Sequence, residues 1–104
     1  MLTAKENNKQ IYNSEGAAGY LISTSNRCEY VRLVLEPGGV IANHILPFPV
    51  TFYVLKGNPV AVINEIESKV NFGDLLEAAA GIERGWKNFS DSGAEILVIK
   101  HLQI

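Results

Sequence analysis

Two stretches of the chain decide its fold: PGGVIANHILPFPVTFYVLKG at residues 37–57 and GDLLEAAAGIERGWKN at residues 73–88. The first combines a Pro-Gly-Gly turn, a short extended segment that carries His44, a corner with two prolines, and the hydrophobic segment 50–55. The second has a Gly-Asp turn and two short segments separated by Gly81. Short hydrophobic runs between glycines and prolines are typical of β-strands joined by tight turns. Both stretches therefore predict strands.

The remaining segments show the same pattern. Residues 27–36 alternate, with Val31, Leu33 and Leu35 on one face, as expected for a strand with one buried face. Further strands are predicted at residues 19–24, 50–55, 59–65, 69–72, 75–79, 84–89 and 94–101. The Gly57-Asn58 turn predicts that segments 50–55 and 59–65 form a hairpin. Since no long window has a helical period, the chain is predicted to be all-β, a barrel or a sandwich.

Length and composition are those of one globular domain. The chain has 104 residues, of which 47% are hydrophobic and 19% charged, and this is enough to close a single core. We expect one domain over residues 1–104, with its core at about 18–101 and an N-terminal arm at 1–10. The formal net charge is −2 and no basic stripe occurs, so no nucleic-acid partner is expected.

Cysteine content and apolar runs indicate the compartment. The first ten residues, MLTAKENNKQ, lack the apolar core of a signal peptide. No apolar run approaches the ~20 residues of a membrane helix. Cys28 is the single cysteine and cannot form an internal disulfide. We therefore expect a cytoplasmic protein without a membrane partner.

The spacing within the two stretches resembles the paired signature motifs of the cupin superfamily. The first motif of that family, G-x5-H-x-H-x3,4-E-x6-G, is matched at Gly38, His44 and Gly57. The second, G-x5-P-x-G-x2-H-x3-N, is matched at Gly73, Gly81 and Asn88. The resemblance implies a single-domain, RmlC-like antiparallel β-barrel, also called a jelly roll or double-stranded β-helix.

The metal-binding positions of the two motifs are degenerate. Leu46 stands at the second histidine position, Val50 at the glutamate position and Arg84 at the last histidine position. A transition-metal site needs three or four converging N, O or S donors, and an arginine stays protonated. We therefore predict no metal and no other cofactor. His101, in the last predicted strand, is the one substitute ligand that we considered.

The resemblance places the degenerate positions around the barrel interior, which suggests a binding pocket. In this hypothesis Arg84 anchors the anionic group of a small anionic or polar organic ligand, because a guanidinium is suited to carboxylates and phosphates. His44 donates or accepts a hydrogen bond, and it is also the candidate catalytic residue, since histidine readily transfers protons near neutral pH. The apolar walls are predicted to be Leu46, Val50, Phe52 and Trp86.

Two other function classes remain open. One is a cupin enzyme of the isomerase, lyase or oxygenase type, which acts through His44 and Arg84 or through an atypical metal site. The other is a structural or regulatory module whose cavity is filled by its own side chains. Simpler roles for single residues also remain open: His44 as a hydrogen-bonded part of the scaffold, Arg84 in an ion pair with Glu77 or Glu83, and Phe52 and Trp86 as core residues.

A second subunit is the expected protein partner. The resemblance implies a homodimer, since members of the family are often dimeric. Tyr30, Val34 and Tyr53 are predicted to lie on the face of the sheet that does not line the cavity, where they are available for contact between sheets.

Overall fold

The computed structural model describes residues 1–102 as ten β-strands and one short 3-10 helix at Lys5–Asn7. The strands are β1 (Lys9–Ser14), β2 (Ala17–Thr24), β3 (Cys28–Leu35), β4 (Val40–His44), β5 (Val50–Lys56), β6 (Val60–Ile63), β7 (Ile66–Lys69), β8 (Leu75–Ala78), β9 (Arg84–Lys87) and β10 (Ala94–His101). No helix among these residues is long and apolar enough to cross a membrane.

The strands form two antiparallel sheets. The larger sheet has the order β1-β2-β3-β10-β5-β8, and the smaller one has the order β4-β9-β6-β7. Strands that are neighbours in a sheet are often distant in sequence: β3 and β5 both pair with β10 along almost its whole length. This all-β jelly roll confirms the predicted fold class.

The core lies between the two sheets and follows the alternation of each strand. Inward residues of β3 and β10, such as Leu35 and Ile96, are fully buried, whereas Tyr30 on the outer face is 37% exposed. Phe52 from the larger sheet meets Trp86 from the smaller one edge to face, with ring centroids 5.3 Å apart. Such aromatic pairs add to the free energy gained by burial, so this contact helps to hold the sheets together.

Two strand predictions are wrong. Segment 59–65 was expected to form a hairpin with 50–55, but β6 pairs with β7 and β9 in the other sheet. Gly57, at φ 80°, has its Cα so close to the backbone of Gly93 that an added Cβ would lie 2.7 Å from the Gly93 carbonyl oxygen. After this close backbone contact the chain crosses to the smaller sheet instead of turning back to pair with β5. The strand expected at 69–72 is β7, which ends where that segment was predicted to begin.

The N-terminal residues extend the larger sheet. The last two residues of the predicted arm, Lys9 and Gln10, belong to edge strand β1, which pairs with β2. Gly19 gives Tyr12 room beside it, because a Cβ at Gly19 would be in tight contact with the Cβ of Tyr12, at 3.2 Å, and with Leu33, at 3.3 Å. Tyr12 packs over the inner face of the sheet against the core.

Asn88 closes one end of the barrel. Its side-chain amide is 1% exposed and donates to the carbonyl oxygens of Leu35, Glu36 and Ser92, at 3.3, 3.2 and 2.9 Å. Its side-chain oxygen accepts from the backbone and hydroxyl of Ser90 at 3.1 and 2.7 Å. The amide therefore joins the end of β3 to the β9–β10 turn.

The backbone of Asn88 completes this end of the barrel. The Asn88 N–H donates to the carbonyl oxygen of Gly39 at 2.9 Å, and the Gly38 N–H donates to the carbonyl oxygen of Asn88 at 2.8 Å. The two stretches that resemble cupin motifs thus meet at this residue.

We predict that Asn88→Ala lowers the free energy of unfolding by about 3 kcal/mol, because the buried amide loses its bonds to three carbonyl oxygens and to Ser90 at once. Urea unfolding followed by tryptophan fluorescence measures the change. Asn71→Ala is the matched control, since the exposed Asn71 forms its hydrogen bonds through its backbone N–H and carbonyl groups, and it should change stability by less than about 0.5 kcal/mol. A loss below about 1 kcal/mol for Asn88→Ala would contradict the role given to this amide.

Candidate functional site

A cavity of about 310 Å³ lies at the opposite end of the barrel, where both sheets contribute to its wall. Its size is at the lower end of the range for small-molecule sites. Most of the wall is apolar, and its polar members come from four strands. The lining residues are Ile11, Tyr12, Gly19, Val31, Leu33, Ile41, Ala42, Asn43, His44, Leu46, Phe52, Arg84, Trp86, Val98 and Lys100.

Arg84 is the most unusual group in this wall. It is the first residue of β9 and is 1% exposed. Its guanidinium makes one weak hydrogen bond, from Nη1 to the carbonyl oxygen of Ile82 at 3.5 Å, and its buried Nε has no partner. Buried polar groups are nearly always paired. Arg84 therefore brings an unsatisfied donor and a positive charge to the cavity.

The ion pair that sequence reasoning considered for Arg84 is not formed within residues 1–102. The salt bridges of this part of the chain join Arg32 to Glu95, Lys87 to Glu67, and Lys100 to Glu29. Without a carboxylate beside it, burial lowers the pKa of Arg84, because desolvation disfavours the charged guanidinium. This desolvation therefore lowers the free energy of unfolding at every pH where the arginine is protonated.

His44 lies directly opposite Arg84, as its register partner on β4. Its Nδ1 is 3.0 Å from the carbonyl oxygen of Ala42. Since a carbonyl can only accept, Nδ1 carries the hydrogen in this bond, and Nε2 is left to interact with a cavity ligand. The His44 side chain itself is exposed at the rim.

A β-bulge brings the residues before His44 into the wall as well. Ile41 pairs with Trp86 and His44 with Arg84, so that Ala42 and Asn43 together face Gly85. A Cβ on Gly85 would collide with the Asn43 side chain and lie 2.7 Å from the carbonyl oxygen of Ile41. Bulges often redirect side chains next to binding sites, and here the bulge puts Asn43 and His44 on the same cavity.

The structure brings five of the six predicted site residues to one cavity. Leu46, Phe52 and Trp86 line it together with His44 and Arg84. Phe52 and Trp86 are at the same time core residues, as their edge-to-face contact shows.

Val50 is the exception among the predicted wall residues. It is 1% exposed and belongs to the packed core, and it does not line the cavity. Its cross-strand neighbour on β10, Lys100, lines the cavity in its place.

Lys100 was missed by the sequence analysis, as were Tyr12 and Asn43. The available signal for Lys100 was the alternation of β10, in which Ala94, Ile96 and Val98 are buried and Lys100 continues the same inward series. Asn43 depends on the bulge and Tyr12 on the packing of the edge strand, and neither has a signature in the local sequence.

Solved structures match this architecture over nearly the whole chain. An RmlC-like cupin from Shewanella frigidimarina has a TM-score of 0.83 at 12% sequence identity, with 96% of this chain and 88% of that protein covered. The chain has the cupin fold. A predicted oxalate decarboxylase from Thermotoga maritima has a TM-score of 0.85 at 19% identity, covering 99% of this chain and 100% of that one.

A third structural match is the polyketide cyclase RemF from Streptomyces resistomycificus, with a TM-score of 0.84 at 16% identity, covering 99% of this chain and 80% of that one. No protein-family model matches the sequence, and no curated protein matches it. At these identities the likeness establishes the fold and leaves the chemistry to the residues of the cavity.

The donor set of this cavity does not fit the metal that cupin folds commonly hold. Residues 1–102 contain no group of three or more His, Cys, Asp or Glu side chains placed to hold an ion. Leu46 offers no donor, and Arg84 would repel a cation. His101 lies on the outer face, where its Nε2 is 2.8 Å from the Thr51 hydroxyl oxygen, so it cannot serve as a substitute ligand in the cavity.

We predict that protein purified without a polyhistidine tag contains far less than one equivalent of transition metal per chain. Inductively coupled plasma mass spectrometry, normalised to protein concentration, measures the content. A sample dialysed against zinc and then against buffer tests for weak sites. About one iron, zinc, nickel or manganese per chain after dialysis would contradict the assignment of His44 and Arg84.

Proposed function

We propose that this cupin-fold protein binds a small organic anion in its cavity without a metal, with Arg84 as the anchor. The observation that supports the proposal is the buried guanidinium of Arg84, whose Nε has no partner. A charged group in such a place destabilises the fold unless it is paired. A carboxylate that enters the cavity supplies both the missing acceptor and the missing negative charge.

The rest of the cavity suits the remainder of such a ligand. Its volume of about 310 Å³ equals roughly ten water molecules, so the ligand is small. The apolar rings of Phe52 and Trp86 can enclose a hydrocarbon body, and His44 offers Nε2 at the rim. The open cavity also argues against the alternative of a module filled by its own side chains.

We predict opposite effects of Arg84→Met on stability and on binding. Removal of the buried charge should raise the free energy of unfolding by about 1 to 3 kcal/mol. In the wild type, hexanoate at one hundred times its Kd should add about 2.7 kcal/mol, and in the variant this gain should disappear. Urea unfolding with and without hexanoate measures both effects.

Arg32→Met is the matched control, because Arg32 lies on the outer face, paired with Glu95 and stacked on Tyr20. This variant should keep the hexanoate effect. Equal stabilisation of the wild type and Arg84→Met by hexanoate would remove Arg84 from the site.

A metal-free enzyme is the second candidate function. It is supported by His44, which lies across from Arg84 with its Nε2 directed away from the Ala42 bond. Two structural neighbours, the predicted oxalate decarboxylase and the polyketide cyclase, carry the names of enzymes. Proton NMR of hexanoate during the titration separates the two candidates, since a simple binding protein leaves the acid unchanged.

We propose further that the protein is a cytoplasmic homodimer. Tyr30 and Tyr53 are 37% and 40% exposed on the outer face of the larger sheet, where they flank Leu97 and Ile99 of β10. The second copy is the proposed occupant because homodimer interfaces are more apolar than ordinary surface. The single Cys28 supports a reducing compartment.

We predict a mass near twice 11.4 kDa in size-exclusion chromatography with light scattering. Tyr53→Lys should shift the protein toward the monomer, whereas Phe89→Lys, at an exposed residue of the β9–β10 turn, should not. A wild-type monomer at all concentrations would exclude this interface.

A further inference from the structure

The cavity has a second cation, Lys100, and the structure shows that this one is neutralised. Lys100 Nζ donates to Glu29 Oε1 at 3.0 Å. The two residues are direct register partners on β10 and β3. Their side chains are 23% and 27% exposed, so the pair lies at the solvent-facing side of the cavity.

The two cations therefore differ in the charge that they can offer to a ligand. Arg84 has no carboxylate beside it, whereas the charge and one donor of Lys100 are already used by Glu29. Most of the wall around the two cations is apolar and includes Leu33 and Val98. A ligand thus meets one unpaired positive charge in a wall that is otherwise mostly apolar.

On the basis of the proposed function, we propose that the cavity selects organic monoanions with an apolar body over dianions, and that Glu29 sets this selectivity by neutralising Lys100. A second carboxylate on the ligand would have to displace Glu29, which is tethered beside Lys100 at high effective concentration. Otherwise it would enter a mostly apolar cavity without a positive charge beside it, which is costly. Selectivity therefore arises because Glu29 keeps Lys100 from pairing with the second carboxylate of a dianion.

Hexanoate and adipate are the matched probes, because both have six carbons and they differ by one carboxylate. Isothermal titration calorimetry at about pH 7.5, where both groups of adipate are ionised, gives the ratio of their Kd values. The wild type should bind hexanoate at least about tenfold more tightly than adipate. In Glu29→Gln the Kd of adipate should fall about tenfold or more, the size expected for a new charged hydrogen bond, while that of hexanoate changes by less than about threefold.

Glu95→Gln is the control for net charge, because it removes one carboxylate from an ion pair on the outer face of the same sheet and should leave the ratio unchanged. In the double variant Glu29→Gln/Lys100→Met, the gain for adipate should vanish, which assigns it to Lys100. Unfolding curves check that each variant is folded. The wild-type ratio itself tests the selectivity without any substitution.

The outcomes separate this inference from the proposed function. If hexanoate binds through Arg84 but the wild type binds adipate as tightly, or Glu29→Gln leaves the ratio unchanged, the selectivity proposal is wrong and anion binding stands. If neither acid binds the wild type, the proposed function fails and the selectivity proposal fails with it.

Discussion

The side chain of Asn88 is the constraint on which this barrel depends. An asparagine amide is short, yet it reaches three carbonyl groups at the end of β3 and in the β9–β10 turn, and its backbone bonds the Gly38-Gly39 turn. These segments must therefore lie within a few ångströms of one another. One end of the barrel is closed in this way, and the strand ends at the other side are left to form the cavity.

The buried guanidinium of Arg84 lowers the stability of a fold that, within residues 1–102, hydrogen-bonds its other buried polar side chain, that of Asn88. The same chain buries Asn88 with every side-chain group bonded, so the fold is able to satisfy a buried polar group. Arg84 is left unsatisfied next to a cavity. An unpaired buried charge that lowers stability is a feature expected at functional sites. Its charge gives the cavity a chemical preference that the apolar walls alone would lack.

Backbone geometry decides which polar groups reach the cavity. The bulge of β4 opposite Gly85 turns Asn43 and His44 toward the cavity. A side chain on Gly85 would push the two strands apart. The polar part of the wall therefore depends on a residue without a side chain, while the inner rows of β5 and β10 supply the apolar part and Lys100.

Sequence alone indicated the fold class, the strands β3 and β10 and the alternation of β3, and its resemblance to cupin motifs placed Arg84 and His44 at the cavity, because strand periodicity and motif spacing are local properties of the chain. It did not determine the partner of β6, since a Gly-Asn turn serves a hairpin and a crossing between sheets equally well. Only the tertiary structure showed that Val50 is in the core and that Lys100 pairs with Glu29, because these contacts join strands far apart in sequence. The net charge of the cavity also depends on tertiary contacts. Arg84 and Lys100 are both present in the sequence, but whether each is paired with a carboxylate depends on which residues the fold places beside it.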